Sequence, residues 1–181
     1  VAMQRAKWSK YLNTYLREAY DRGLPIIRPL LMQFPLDKGM DLRTDVFMIG
    51  DEVLAVPVCG RTEVALPRGR WTNLSTNEQH AGRAAAKLGP GAVNLFARNG
   101  SILPFAPILA GQPAELHYFP PAGAEFFVFE ESEQVYSQFH AGPAGDLMRL
   151  EAESKVAGRY LWVAHHFKEP ATVGELERPY R

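Results

Sequence analysis

The stretch Gly23-Leu-Pro-Ile-Ile-Arg-Pro-Leu-Leu-Met-Gln-Phe-Pro35 is where the chain changes character. Before it, apolar residues recur at helical spacing. After it, they fall in short runs of strand length. Ile26, Ile27, Leu30, Leu31 and Met32 form an apolar run without alternation, which predicts a strand covered on both faces. Pro25 opens the run and Pro29 interrupts it. Proline removes a ladder hydrogen bond, so the strand is expected at a sheet edge, or irregular or bulged near Pro29.

Upstream, Trp8, Leu12, Tyr15, Leu16, Ala19 and Tyr20 share one helical face, and the spacing predicts a helix over residues 2–21. Gly23 stands where a left-handed C-terminal cap belongs, and Pro25 stops the helix. A helix, a tight turn and a doubly covered strand make one αβ piece of an α/β sheet or barrel. Such a piece cannot bury both of its own faces. Its partners are expected upstream of Val1, and residues 1–35 are expected to be poorly ordered without them.

Downstream the pattern is β. Strands are expected at residues 53–58, 63–66, 71–74 and 92–97, with Ile102-Leu103 leading into Pro104. A second series is expected at 115–119, 124–129, 134–139, 147–153 and 158–165. The loop from Leu36 to Gly50 carries Asp37, Asp41 and Asp45, and Phe47-Met-Ile-Gly50 reads as one helical turn. Strands this short, separated by frequent turns, suggest antiparallel sandwiches. The tail from Glu175 to Arg181 is charged and expected to fray.

Composition excludes several classes. Lys and Arg number 20 and Asp and Glu number 20, so net charge offers no electrostatic case for nucleic acid or an anionic membrane. A single cysteine, Cys59, cannot form an intrachain disulfide or a multi-cysteine metal site. No apolar run approaches the roughly 20 residues of a membrane span, and the N-terminal segment does not read as a signal peptide. No two histidines stand at the i, i+4 spacing of a helical zinc site, and His165 and His166 are expected on opposite faces of a strand.

Residues 5–104 resemble the end of the catalytic barrel and the first C-terminal domain of glycoside hydrolase family 31, the α-glucosidase and α-xylosidase family. The resemblance rests on Gly23-Leu-Pro-Ile-Ile-Arg-Pro-Leu30, Phe34-Pro35 with Asp37, and Phe47-Met-Ile-Gly50. It continues through Leu54-Ala-Val-Pro-Val58, Leu66-Pro67, Gly69-Arg-Trp71 and Leu95-Phe-Ala-Arg-Asn-Gly-Ser-Ile-Leu-Pro104. Beyond Pro104, Leu116-His-Tyr-Phe-Pro120 and Phe129-Glu-Glu131 resemble the family's distal β-domain. The family's acidic turn commonly ends in glycine, whereas Ser132-Glu133 follows here.

The resemblance implies a mainly β chain: two small antiparallel sandwich-like domains preceded by the terminal αβ piece of a (β/α)8 barrel. It divides the chain into residues 1–50 (barrel end), 51–105 (proximal sandwich) and 106–181 (distal β-domain). It implies a parent that performs retaining hydrolysis of α-glycosidic bonds on an α-linked oligosaccharide, with no cofactor. The family's catalytic aspartates lie in motifs upstream of Val1 and absent from this sequence, so no catalytic residue is assigned. Asp37 is left with at most a supporting role at a barrel rim. The expected partner is the upstream catalytic barrel of the same parent.

Residue chemistry points the same way. A retaining glycosidase needs two carboxyl groups about 5–5.5 Å apart, one of them protonated. Asp37, Asp41 and Asp45 read as loop caps, Glu130, Glu131 and Glu133 as a solvated turn, and Glu151 and Glu153 as an exposed strand face. Trp8, Trp71, Trp162, Tyr118, Phe119, Tyr136 and Phe139 could form a sugar-stacking face, but strand positions favour the core. The alternatives are therefore a carbohydrate-binding module and a purely structural β-module.

Overall fold

The computed structural model describes residues 2–40, 43–107, 109, 111–144, 147–153 and 160–166. Asp41, Gly158, Arg159 and the tail from Glu175 lie outside the described residues. The chain forms two compact units: Pro25–Asn99, and a bipartite unit of Val1–Leu24 with Gly100–Arg181.

The chain opens with α1 (Ala2–Lys7) and α2 (Ser9–Arg22), interrupted at Trp8. Next come β1 (Ile27–Pro29), α3 (Leu30–Gln33), β2 (Phe47–Ile49), β3 (Val53–Pro57), β4 (Glu63–Ala65) and β5 (Arg70–Asn73). These are followed by β6 (Gln79–Ala81), β7 (Ala85–Lys87), β8 (Val93–Arg98), β9 (Ser101–Phe105) and β10 (Ala114–Phe119). Last are β11 (Ala124–Glu130), β12 (Val135–Ala144), β13 (Leu147–Glu153) and β14 (Tyr160–Ala164).

In the 25–99 unit, an antiparallel sheet runs in the order β1-β2-β3-β8-β5-β6, and β4 pairs with β7. Its core joins Leu30, Phe34, Met40, Val46, Met48, Leu54, Leu66, Trp71 and Phe96. Residues of the 25–50 stretch share one core with β3, β5 and β8, and residues 25–99 form one compact unit.

The run from Ile26 to Met32 is not a strand buried on both faces. It is a three-residue edge strand and one short helix. Strand periodicity turns Ile27 and Pro29 outward and Arg28 inward, so the buried residue of β1 is the arginine. Arg28 Nε donates to Pro25 O at 2.8 Å, and Nη1 pairs with Asp51. Pro29 does sit on an edge strand, where the missing donor is tolerated. Phe47–Ile49 is a strand rather than a helical turn, because both its neighbours take it up: Pro29↔Phe47 on one side and Phe47↔Ala55 on the other.

The bipartite unit holds two sheets, β14-β10-β9 and β11-β12-β13. Neighbours are antiparallel except β10 and β14, which run parallel from Ala114↔Tyr160 to Tyr118↔Ala164. The mainly β, antiparallel class read from the sequence is therefore the class observed. Helix α2 belongs to this unit, while β1 belongs to the other.

Helix α2 ends as the sequence indicated, with Gly23 left-handed (φ 71°) and its N–H bonded to Ala19 O at 2.9 Å. Its inward face is Tyr11, Thr14 and Tyr15, rotated from the expected stripe; Leu16 and Tyr20 are exposed. Tyr11 stacks on Phe126 with ring centroids 5.9 Å apart, and Tyr15 meets the same ring edge-on at 6.1 Å. Thr14 Oγ1 accepts the Phe129 N–H at 3.0 Å. Tyr11, Thr14 and Tyr15 of α2 thus pack on β11 within this unit. Among the described residues, no helix is long and apolar enough to cross a membrane.

Candidate functional site

The loop after α3 holds the two described aspartates that the sequence singled out. Asp37 is buried. Its Oδ2 accepts the Arg68 backbone N–H at 2.6 Å, and its Oδ1 accepts Arg83 Nη2 at 2.8 Å and Nε at 3.1 Å. The Arg68 amide and the Arg83 guanidinium hold this carboxyl below its ordinary value, against the opposing effect of burial. Asp45 accepts from Arg43 Nε at 2.6 Å and Nη2 at 3.0 Å, and from Arg61. Those arginines hold it well below the usual carboxylate range.

Both groups are therefore ionised latches. Asp37 ties its loop to the β4–β5 turn and to the segment after β6. Asp45 ties its own loop to the β3–β4 turn. Neither is the protonated carboxyl that glycosidic cleavage needs at neutral pH.

Glu130 departs from the solvated turn expected of it. It is buried and accepts Lys10 Nζ at 2.6 Å, Ser137 Oγ at 2.9 Å and Tyr160 OH at 2.6 Å. Three donors, one of them a cation, compensate its desolvation. The signal was available in the sequence: Phe126, Val128 and Glu130 share one parity of the strand, and the first two are core residues.

A pair of imidazoles joins β10 to the chain just after β14. His117 Nδ1 lies 2.8 Å from His165 Nε2, and His117 Nε2 lies 2.8 Å from Glu115 Oε2. A carboxylate can only accept, so His117 carries its proton on Nε2. Its Nδ1 then accepts the N–H of His165 Nε2. Burial pushes His117 down, opposed by Glu115; burial, with His117, His166 and Lys7, pushes His165 down to about 4. His165 stacks on Phe119 at 4.3 Å. Nothing in the sequence announced this pair, because the parallel register of two distant strands creates it. Among the described residues, no three His, Cys, Asp or Glu side chains group to hold a metal ion.

The aromatics weighed as a sugar-stacking face pack mostly in the core, where their strand positions favoured them. Trp71, Tyr118, Phe119, Phe139 and Trp162 are buried, and Trp8 is half-buried against Phe105. Of that group Tyr136 is exposed. What the 25–99 unit does expose is a short apolar row: Ile27, Leu31, Met32 and Leu36 are 61%, 49%, 46% and 91% accessible. Four large apolar side chains are thus left in water within ten residues of sequence.

Comparison with known proteins follows the same region of the chain. Residues 23–103 match the family model described as "Glycosyl hydrolase family 31 C-terminal domain". An α-glucosidase of Saccharolobus solfataricus is 34% identical over 103 residues, covering 55% of this chain and 15% of that protein. Alpha-glucosidase 2 of Bacillus thermoamyloliquefaciens is 24% identical over 162 residues, covering 82% of this chain and 20% of that protein. The chain thus spans about a fifth or less of the relatives it matches.

In structure, 93% of the chain superposes on 25% of a Flavobacterium johnsoniae family 31 dextranase complexed with isomaltotriose, with a TM-score of 0.78 and 24% identity. That likeness establishes the fold. The matched model begins at Gly23 and ends at Leu103, so it takes in β1, α3 and β2 as well as the sandwich strands. Residues 23–103 are thus similar to the C-terminal domain of glycosyl hydrolase family 31.

Proposed function

We propose that this chain is the C-terminal portion of a retaining α-glycosidase of the α-glucosidase type, and that it braces the catalytic barrel of its parent. The observation that carries the reading is the exposed apolar row Ile27, Leu31, Met32 and Leu36, inside a domain matched to this family's C-terminal domain. Burying such a row against a barrel wall contributes roughly 25 cal/mol per Å² of apolar surface removed from water.

The chemistry belongs to the barrel. The carboxylates of this chain serve its own packing: Asp37 and Asp45 clamp loops, and Glu130 anchors α2 to β11. No residue of the chain is assigned a catalytic role, and no cofactor enters the reading. The substrate of the parent is an α-linked oligosaccharide.

The test uses the purified chain, alone and mixed with a family 31 barrel lacking its own C-terminal β region. The chain alone is expected to release no p-nitrophenol from an α-glucoside or α-xyloside. The mixture is expected to gain activity, and Leu31→Asp with Leu36→Asp is expected to abolish the gain. Turnover by the chain alone that disappears in Asp37→Asn or Asp45→Asn would place a site in the 36–50 loop and overturn the reading.

A further inference from the structure

We propose that the outward face of the β11-β12-β13 sheet is a docking site for a neutral oligosaccharide, built from Glu125, His140, Arg149 and Glu151 beside Phe127. Register puts these residues on one face. Glu125 stands opposite His140, which stands opposite Glu151, making one row across three strands. The next row is Phe127, Gln138 and Glu153; on the other side Gly142 stands opposite Arg149. Phe127 is 46% accessible, although its strand neighbours Phe126 and Val128 are core residues.

The face carries a shallow, open depression. A cleft of about 390 Å³ opens over it, lined by the four polar residues and floored in part by Gly123 and Gly142. That size falls in the roughly 300–1,000 Å³ range of small-molecule sites. The two glycines pass close together, since a Cβ at Gly142 would lie 3.5 Å from Gly123 Cα. The missing side chains keep backbone groups within reach of a ligand.

The polar groups pair with one another on the surface. Arg149 Nη2 pairs with Glu151 Oε1 at 2.5 Å. Gln138 Nε2 donates to Glu125 Oε1, and His140 Nε2 lies 3.7 Å from the same oxygen. Carboxylates accept from hydroxyls and a guanidinium donates to them, so adjacent hydroxyls on one sugar ring can engage both kinds of group. An anion would meet Glu125 and Glu151, and a cation would meet Arg149. A neutral polyhydroxylated ligand satisfies all of them. The exposed ring of Phe127 supplies the apolar surface on which the C–H face of a pyranose packs.

The choice of α-glucan probes rests on the glycosidase reading above; the binding itself is measured on this chain without a barrel. The full 181-residue chain is titrated calorimetrically with maltotriose, isomaltotriose and the β-linked cellotriose. Saturable binding of an α-linked trisaccharide is expected. Glu125→Gln with Arg149→Gln should weaken it about tenfold through loss of charge-assisted hydrogen bonds, and Phe127→Ala should weaken it further, with an unchanged melting temperature in each case. Glu63→Gln, on the other unit, should leave binding unchanged. Binding of cellotriose alone would keep the saccharide face and count against the α-glycosidase reading. No binding of any of the three, or full binding by the Glu125→Gln/Arg149→Gln variant, would overturn the proposal.

Discussion

Arg83 reaches Asp37 across 46 residues of sequence and sets two nitrogens on one oxygen, Nη2 at 2.8 Å and Nε at 3.1 Å, while the other oxygen takes the Arg68 amide at 2.6 Å. The residue that family resemblance placed at a barrel rim is thus the clasp of the 25–99 unit. Asp37→Ala leaves the Arg68 amide and the Arg83 guanidinium without their acceptor. Chemical denaturation should show a loss of about 1–3 kcal/mol. Asp37→Asn should lose less, since the amide oxygen can still accept one bond.

The same clasp predicts an acid limit. Asp37 and Asp45 both titrate below their unfolded values. Their contribution is complete above the unfolded carboxylate value of about 3.9 and is lost as pH falls below it towards the lower folded values. Melting temperature followed from pH 6 to pH 2 should fall in that window. Asp37→Asn should flatten part of the fall while lowering the plateau.

A second pH window belongs to the imidazoles. His165 is pushed down to about 4 and His117 is also lowered, whereas an unfolded histidine titrates near 6.5. The unfolded chain binds more protons between those values, so stability falls as pH drops from about 6.5 towards 4. Lys7 and His166 repel the incoming charge on His165, and Glu115 favours the charge on His117. His165→Phe keeps the stack on Phe119 and removes the titration. Its melting temperature should slope less over that window than the wild type's, since His117 and His166 remain.

Gly82 is a position where a single methyl group should break the 25–99 unit. A Cβ there would fall 2.2 Å from Pro67 O and 2.7 Å from Gly69 N. The close approach exists because Gly82 N–H donates to Gly69 O at 2.6 Å and Arg83 N–H to Leu66 O at 2.8 Å. Gly82→Ala should cost about 3 kcal/mol or more, at the upper end of overpacking effects. The loss would be read as a lowered denaturation midpoint.

Trp71 lies at the centre of the same arrangement, fully buried, with Nε1 donating to Pro67 O at 2.9 Å. Trp71→Ala should cost about 3–5 kcal/mol. Trp71→Phe, which keeps the ring against Phe34 but abandons the Pro67 carbonyl, should cost less. Loss of sugar binding with an unchanged melting temperature would contradict the core placement.

Much of the architecture was written locally. Gly23 followed by Pro25 fixed the end of α2, because left-handed backbone and a missing N–H are properties of those residues alone. Short apolar runs set between turns marked β8, β10 and β11. The ordered motifs from Gly23 to Pro104 pointed to the family without any coordinates. Tertiary structure decided what each element packs on. The run after Pro25 is apolar enough for a buried strand, yet the register Arg28↔Met48 turns its arginine inward and leaves Ile27 exposed. Helix α2 presents two apolar stripes, and docking of Tyr11 and Tyr15 on Phe126 chose between them. Glu130, Asp37 and the His117–His165 pair acquired their roles from partners 7 to 120 residues away. No periodicity within a segment encodes such pairings; they exist only once the sheets have closed.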